Sequence, residues 1–351
     1  GDYGIYAQRY NSIGVVQGSE FKVNTYTIDF QSHPMAAMDS TGKFVIVWNS
    51  YGQDNSDGYG VYAKRYNSNG VVQGSEFKVN TYTIDSQANP SVAMDNNGNF
   101  VVTWQSFQDG SGYGVYAKRY TSTGATSSTE FQVNTYTTDY QTHPMAAMDG
   151  TGNFVIVWSS YNQDNPGGND YGIYAQRYTS TGATSGTEFN VNTYTTDSQS
   201  RPSVAMDNTG NFVIAWKSKT QDDGSPSDYG IYAQRYTSTG ATAGTEFRAN
   251  TFTTVQQINP SVTMDNTGNF VIAWSSYQES ADGIYAQRYN SSGVLQSSEI
   301  PVNTYTTDSQ ANPSIVMDST GNFVVVWNSY DQDGSNKGIF AKRYNSSGFE
   351  Q

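Results

Sequence analysis

The chain of 351 residues has no cysteine and only two histidines. That excludes disulfide bonds, thiol nucleophiles and thiolate metal sites, and leaves little imidazole chemistry. Charge is sparse at 14% of residues, and cations are the scarcer half, with 18 Lys and Arg against 31 Asp and Glu. A net charge of −13 argues against a nucleic-acid surface, so no nucleic-acid partner is expected. No apolar run approaches the roughly 20 residues that span a bilayer, so no membrane insertion is expected. Neither G-x-S-x-G nor H-E-x-x-H occurs. No stretch sustains a helical apolar period, and no helix of consequence is expected. The chain opens at Gly1 without a charged-then-apolar leader, which reads as a mature product or an excised piece.

Glycine and aromatic residues are plentiful, with 34 Gly, 28 Tyr and six Trp, too aromatic a composition for disorder. They are arranged in repeats. The pattern G-[IV]-[YF]-A-[QK]-R-Y starts at Gly4, Gly60, Gly114, Gly172, Gly230, Gly283 and Gly338, at spacings of 53 to 58 residues. A period of this size outranks any single-residue signal. One unit runs from an extended segment at Pro90 through a turn at Asn96–Asn99 to the β-forming run Phe100–Trp104. A polar loop, Gly114–Tyr120, a second turn and Glu130–Thr135 complete it. These are the first to fourth strands of the unit. Asp39, Asp95, Asp149, Asp207, Asp265 and Asp318 each precede a Gly by three residues, as a type I turn prefers. They are expected to be turn residues rather than ligands.

Second strands such as Phe154–Trp158 are apolar at nearly every position, which implies cover on both faces. Four short strands per unit, repeated around a centre, predict an all-β fold, a six-bladed β-propeller of four-stranded antiparallel blades. The chain is expected to be a single domain, residues 1–351, of six repeats of about 56 residues. It opens with third and fourth strands and closes with first, second and third, so the last blade is expected to take strands from both chain ends. Third strands number seven against six of each other kind. The surplus copy is expected to be an added edge strand, a connector or a strand donated to another copy of the chain. Arg and Glu flank each third-to-fourth turn at a separation of eleven, as in Arg119 and Glu130, and are expected to pair across the hairpin.

The unit resembles the highly repetitive β-propeller repeats of bacterial and cyanobacterial surface proteins. The marks are G-[IV]-Y-A-Q-R-Y, E-F-x-V-N-T and M-D-x-x-G-x-F-V-[IV]-x-W, and the resemblance covers essentially the whole chain. The last hairpin is loosely similar to the Asp-box turn of sialidase-like propellers, with different spacing. The resemblance implies an extracellular or cell-surface protein and no particular activity.

Binding residues are sought in the variable second-to-third loops. Each carries an aromatic side chain and a Gln-acid pair: Tyr51 with Gln53 and Asp54, Phe107 with Gln108 and Asp109, and Tyr161 with Gln163 and Asp164. Tyr277 with Gln278, and Tyr330 with Gln332, continue the series; Lys219 replaces the aromatic in the fourth unit. A second ring precedes each first-strand Pro and includes His33, His143 and Arg201. Calcium is the one cofactor suggested, with Asp331 and Asp333 nearest a calcium-loop pattern and a solvated turn as the alternative. The expected function is a non-enzymatic structural or adhesive module whose partner is a surface glycan, a protein or another copy of itself. The alternative is a lectin-like module with one weak, calcium-assisted carbohydrate site per blade. A glycoside hydrolase is third, because each acid recurs in most blades whereas an active site usually breaks symmetry.

Overall fold

The computed structural model describes residues 3–54, 57–222, 224, 228–277 and 282–351. The chain opens with the hairpin β1 (Tyr6–Tyr10) and β2 (Val16–Lys22). The first complete blade is β3 (Gln31–Met38), β4 (Phe44–Tyr51), β5 (Tyr59–Tyr66) and β6 (Phe77–Lys78). The second is β7 (Gln87–Met94), β8 (Phe100–Ser106), β9 (Gly114–Tyr120) and β10 (Phe131–Gln132). The third is β11 (Gln141–Met148), β12 (Phe154–Tyr161), β13 (Tyr171–Tyr178) and β14 (Phe189–Asn190). The fourth is β15 (Gln199–Met206), β16 (Phe212–Lys219), β17 (Tyr229–Tyr236) and β18 (Phe247–Arg248). The fifth is β19 (Gln257–Met264), β20 (Phe270–Ser276), β21 (Gly283–Tyr289) and β22 (Ile300–Pro301). The chain ends in β23 (Gln310–Met317), β24 (Phe323–Tyr330) and β25 (Lys337–Tyr344).

Each complete blade is an antiparallel sheet in sequence order. The fold is all-β, a six-bladed β-propeller, and at the chain ends β1–β2 form a two-stranded hairpin and β23–β25 a separate three-stranded sheet. Both terminal copies of the third strand are therefore paired, β1 with β2 and β25 with β24. No helix occurs among the described residues, and so none long and apolar enough to cross a membrane.

Two compact units can be distinguished, Gly1–Ser160 with Ala175–Glu188, and Tyr161–Tyr174 with Phe189–Gln351. In the first, Phe100, Val102 and Trp104 of β8 pack with Val45 and Val47 of β4 and Val61 and Ala63 of β5. In the second, Phe270, Ile272 and Trp274 of β20 pack with Val213 and Ala215 of β16 and Ile231 and Ala233 of β17. The rule is the same in both. Alternate residues of a second strand point to opposite faces, so Phe, Ile or Val and Trp face the preceding blade, while Val and Ala face the following one. Bulk on one face meets small side chains on the next. This is why the strand is apolar throughout rather than alternating, and each large side chain buried this way is worth about 1.5–3 kcal/mol. The Phe also stacks on the Tyr that closes the third strand, with Phe100 and Tyr120 at 4.8 Å and Phe212 and Tyr236 at 4.8 Å.

The Asp-first turns form as expected. Asp95 Oδ1 accepts the backbone N–H groups of Asn97 (2.9 Å) and Asn99 (2.8 Å), and Asp207 does the same for Thr209 and Asn211. The Arg–Glu expectation fails, because the two side chains reach in opposite directions along the chain of blades. Arg65 donates to Ser122 O (2.8 Å) and Arg235 to Ser291 O (2.6 Å), each on the turn of the following blade. Glu130 Oε2 instead accepts Thr81 N (2.6 Å) and Thr81 Oγ1 (2.6 Å) of the preceding blade. Their constant spacing comes from two separate contacts between blades, not from one cross-strand pair.

A double-mutant cycle on Glu130→Ala and Thr81→Val is expected to show a coupling of about 1 kcal/mol in urea unfolding. The cycle on Glu130→Ala and Arg119→Ala should show a coupling near zero. Coupling in the second cycle and none in the first would restore the cross-strand pair.

Candidate functional site

The Gln-acid pairs lie where the sequence puts them, in the second-to-third loops, but their polar atoms are turned into the blade. Gln53 Nε2 donates to Glu76 Oε1 (2.8 Å), Gln108 Nε2 to Glu130 Oε1 (2.9 Å) and Gln221 Nε2 to Glu246 Oε1 (2.6 Å). Asp54 Oδ2 accepts from Asn80 Nδ2 (2.9 Å), and Asp222 from Asn250 Nδ2 (3.0 Å) and the Tyr232 hydroxyl (2.7 Å). Asp109 accepts Ser111 N (3.2 Å), and burial raises its pKa. Gln163 holds the same place in its own loop, and Gln278 lies outside the described residues. The pairs knit each loop to the fourth strand instead of presenting ligand oxygens.

These acids also explain the glycine that opens the third-strand motif. A Cβ on Gly172 would stand 2.2 Å from the Asp164 carboxylate, one on Gly230 2.3 Å from Asp222 and one on Gly60 2.5 Å from Asp54. The aromatic members are packed too. Tyr51 meets Tyr59 edge-on at 5.0 Å, Phe107 meets Tyr113 at 5.3 Å and Tyr161 meets Tyr171 at 4.9 Å. Phe107, Tyr277 and Tyr330 keep an exposed part.

Asp331 and Asp333 are the acids nearest a calcium-loop pattern. Asp333 Oδ1 is taken by Ser335 N (3.1 Å), and no group of three or more His, Cys, Asp or Glu able to hold a metal occurs among the described residues.

The ring before the first-strand Pro is a bulge, with the register slipping between Ser32 and Met35 and at each equivalent place. His33, His143 and Arg201 adopt φ of 52°, 54° and 55°, as do Asn89, Asn259 and Asn312 at 52°, 54° and 53°. This left-handed backbone is uncommon for such residues, and it turns His33, Asn89 and Asn312 toward the residue that follows the Trp of the second strand. In the first unit His33 meets Asn49 (3.4 Å), Asn89 donates to Gln105 (2.9 Å), and His143 N donates to Gln105 Oε1 (3.2 Å). In the second unit Arg201 donates to Asn259 (3.1 Å), Asn259 to Asn312 (2.9 Å) and Asn312 to Asn328 (3.2 Å). The Gln residues of this region are buried loop anchors, as when Gln87 donates to Ile84 O (2.8 Å) and accepts from Asn80 (3.1 Å).

A residue not singled out in the sequence completes the picture. Asp170 ends the loop 161–171 and is 6% exposed. Asn165 Nδ2 donates to its Oδ2 (3.0 Å), while Oδ1 is buried without a hydrogen-bond partner. Burial raises the Asp170 pKa first; the Asn165 hydrogen bond works against that, and the charges of Asp164 and Asp197 add to it. Asp164 is differently placed. It is half-buried, and its Oδ2 accepts from Asn192 (2.9 Å) and Asn190 (3.3 Å). One carboxyl is thus held toward its neutral form beside another supplied with amide donors, an arrangement suited to proton transfer. The signal was visible in the sequence, because the residue before the Tyr is Gly58 and Gly112 in the first two blades, Asp170 in the third and Asp228 in the fourth. Those glycines are required by space, as a Cβ on either would lie 2.4 Å from the carbonyl of Asp85 or Asp139.

No family model and no curated protein sequence matches the chain. Solved structures do. A protein of unknown function from Dyadobacter fermentans aligns over 89% of this chain and 93% of its own, at 12% identity and a TM-score of 0.60. The GH93 alpha-L-arabinofuranosidase of Fusarium graminearum, in complex with arabinobiose, aligns over 90% and 93%, at 13% identity and 0.57. The alpha-L-arabinanase of Penicillium chrysogenum, also with arabinobiose, aligns over 89% and 92%, at 11% identity and 0.56. At these identities the likeness is one of fold. It nonetheless corrects the expectation of a non-enzymatic structural or adhesive module, since the propellers that this chain is similar to include glycosidases with sugars bound.

Proposed function

We propose that the protein is a glycan-acting propeller, a glycoside hydrolase that uses Asp170 as its proton donor. The observation that carries the reading is the Asp170 carboxyl, nine-tenths buried, with one oxygen lacking a hydrogen-bond partner and Asp164 in the same loop. The arabinose-processing neighbours support it on the side of fold. Glycoside hydrolysis needs one carboxylic acid to protonate the leaving oxygen and one carboxylate to meet the oxocarbenium-like centre. Asp170 is the first in this reading. Asp164, which accepts from the Asn190 and Asn192 amides, is the second. The fourth blade repeats the arrangement, with buried Asp228 in the place of Asp170 and Asp222, held by Asn250, in the place of Asp164.

Asp170→Asn is expected to lower hydrolysis of arabinan and of chromogenic arabinosides by about a hundredfold or more, the usual contribution of a general acid. No hydrolysis of any tested glycoside by the native chain, or full activity in Asp170→Asn, overturns the proposal.

The pH dependence has a definite sign. A donor must be protonated, so activity should fall as pH rises through the raised pKa of Asp170. The same shift makes the folded chain bind this proton more tightly than the unfolded chain does. Stability contributed by the group is present at low pH and lost as pH rises through the folded value. Thermal melts of the native chain and Asp170→Asn across that range should converge at low pH and separate as pH rises, with the native chain the less stable.

Gly230→Ala tests the loop architecture that holds such acids. The Asp222 carboxylate is fixed by Tyr232 and Asn250 and cannot yield easily, so a loss of about 1–3 kcal/mol is expected in urea unfolding. Adding Asp222→Ala should recover part of it.

A further inference from the structure

One of the Asp-first turns leaves free a side chain that the other five tie down. Thr41, Thr151, Thr209, Thr267 and Thr320 stand two residues after their Asp, and each Thr hydroxyl donates to that Asp at 2.7 to 2.8 Å. The second blade has Asn97 at this place. Its backbone N–H donates to Asp95 Oδ1 as usual (2.9 Å), but its side-chain amide takes part in no hydrogen bond among the described residues. The exchange gives up a bond that five turns make, and it leaves a donor and an acceptor without a task in the fold.

Asn97 lines a cavity of about 270 Å³ between the second and third blades. The stacked Phe100 and Tyr120 contribute to its wall, as does Met148 of the third blade. Arg119 lines it too and reaches across the seam, with Nη1 donating to Thr181 O (2.5 Å) and Nη2 to Ser180 O. No carboxylate among the described residues lies within ion-pair distance of this guanidinium. The Asp95 carboxylate on the same lining already accepts from Asn97 N, Asn99 N and Asn99 Nδ2. Strand register separates the cavity from the Gln-acid loops. Phe100 is opposite Met94 and Tyr120 at one end of β8, and Ser106 is opposite Gln87 and Gly114 at the other. The loop of Gln108 and Asp109 leaves from that other end of its blade, and the loop of Asp164 and Asp170 likewise follows the far end of β12.

We propose that this cavity binds one uncharged sugar residue, as an accessory glycan site apart from the candidate catalytic loop. The ligand class rests on the glycan reading; the site itself is tested as binding. Ligand pockets begin at about 300 Å³, so a cavity of this size admits a single ring rather than a chain. Charge decides against an ion. An anion would meet the Asp95 carboxylate and a cation the Arg119 guanidinium, whereas a hydroxyl incurs neither repulsion and can both donate and accept. The Asn97 amide and the Ser127 hydroxyl, also on the lining, offer both roles, and Arg119 has donors beyond the two in use. Met148 gives an adaptable apolar contact for the C–H face of a ring.

Met148 provides the readout. Arabinotriose, galactotriose and trigalacturonate would be titrated into the chain labelled at its methionine methyl groups, with the Met148 NMR signal assigned through Met148→Leu. That signal should move saturably with at least one of the two neutral sugars, and trigalacturonate should bind there at least about tenfold more weakly. The double variant Asn97→Thr with Ser127→Gln reproduces Thr41 and Gln73 of the first blade, where Gln73 N donates to Arg65 O as Ser127 N does to Arg119 O. It should therefore fold and melt no lower than the native chain. It should also weaken the binding read at Met148 by about tenfold or more and leave hydrolysis unchanged. No saturable movement with either neutral sugar, tighter binding of trigalacturonate, or undiminished binding in the double variant overturns the site. Asp170→Asn should leave the Met148 titration as it is. Binding by a chain that hydrolyses nothing thus separates this result from the fate of the catalytic reading.

Discussion

The second strand of each blade sets Phe, Ile or Val and Trp on one face and mostly Val or Ala on the other, and neither face can be left to water. With no helix among the described residues, the cover comes from sheet next to sheet. The size difference between the faces decides how the sheets stack, because a bulky face fits a small one and two bulky faces would not close to packing distance. Much of the buried polar structure is then gathered at the strand ends. There the bulge before Pro, the Asp-first turn and the Gln-acid loop each satisfy backbone and side-chain groups that the stacked sheets would otherwise strand.

This confinement explains which parts of the molecule were legible. Strand order, blade number and turn positions follow from apolar period and turn chemistry, both local properties of residues such as Phe100–Trp104 and Asp95. The loop acids were harder. A Gln beside an Asp has the same appearance whether it binds a cation, a sugar or its own backbone, and only the partner decides. For Gln53 and Asp54 the partners are Glu76 and Asn80, which also recur in every unit and were the overlooked clue. The constant Arg–Glu interval was misread because a fixed spacing was taken as one contact, when each residue answers separately to a different neighbouring blade.

Function left its marks where the repeat fails. Asp170, and Asp228 in the next blade, stand where the first two blades need a glycine for space, and one carboxyl oxygen of Asp170 is buried without a partner. In a sequence this repetitive, the energetically unfavourable exception is more informative than any motif.

The opposite directions taken by Arg and Glu have a consequence beyond stability. Each unit carries one half of a fixed junction on its leading side and the matching half on its trailing side, so the seam between any two units uses the same residues. Arg65 finds the Ser122 turn as Arg235 finds the Ser291 turn. A gene encoding such units can gain or lose a whole one by unequal recombination between near-identical stretches, and the new neighbours meet with a junction already made. Sequence drift within a unit is therefore less constrained by its particular neighbours than by the shared seam. That leaves the loops of a single blade free to specialise while the others stay alike.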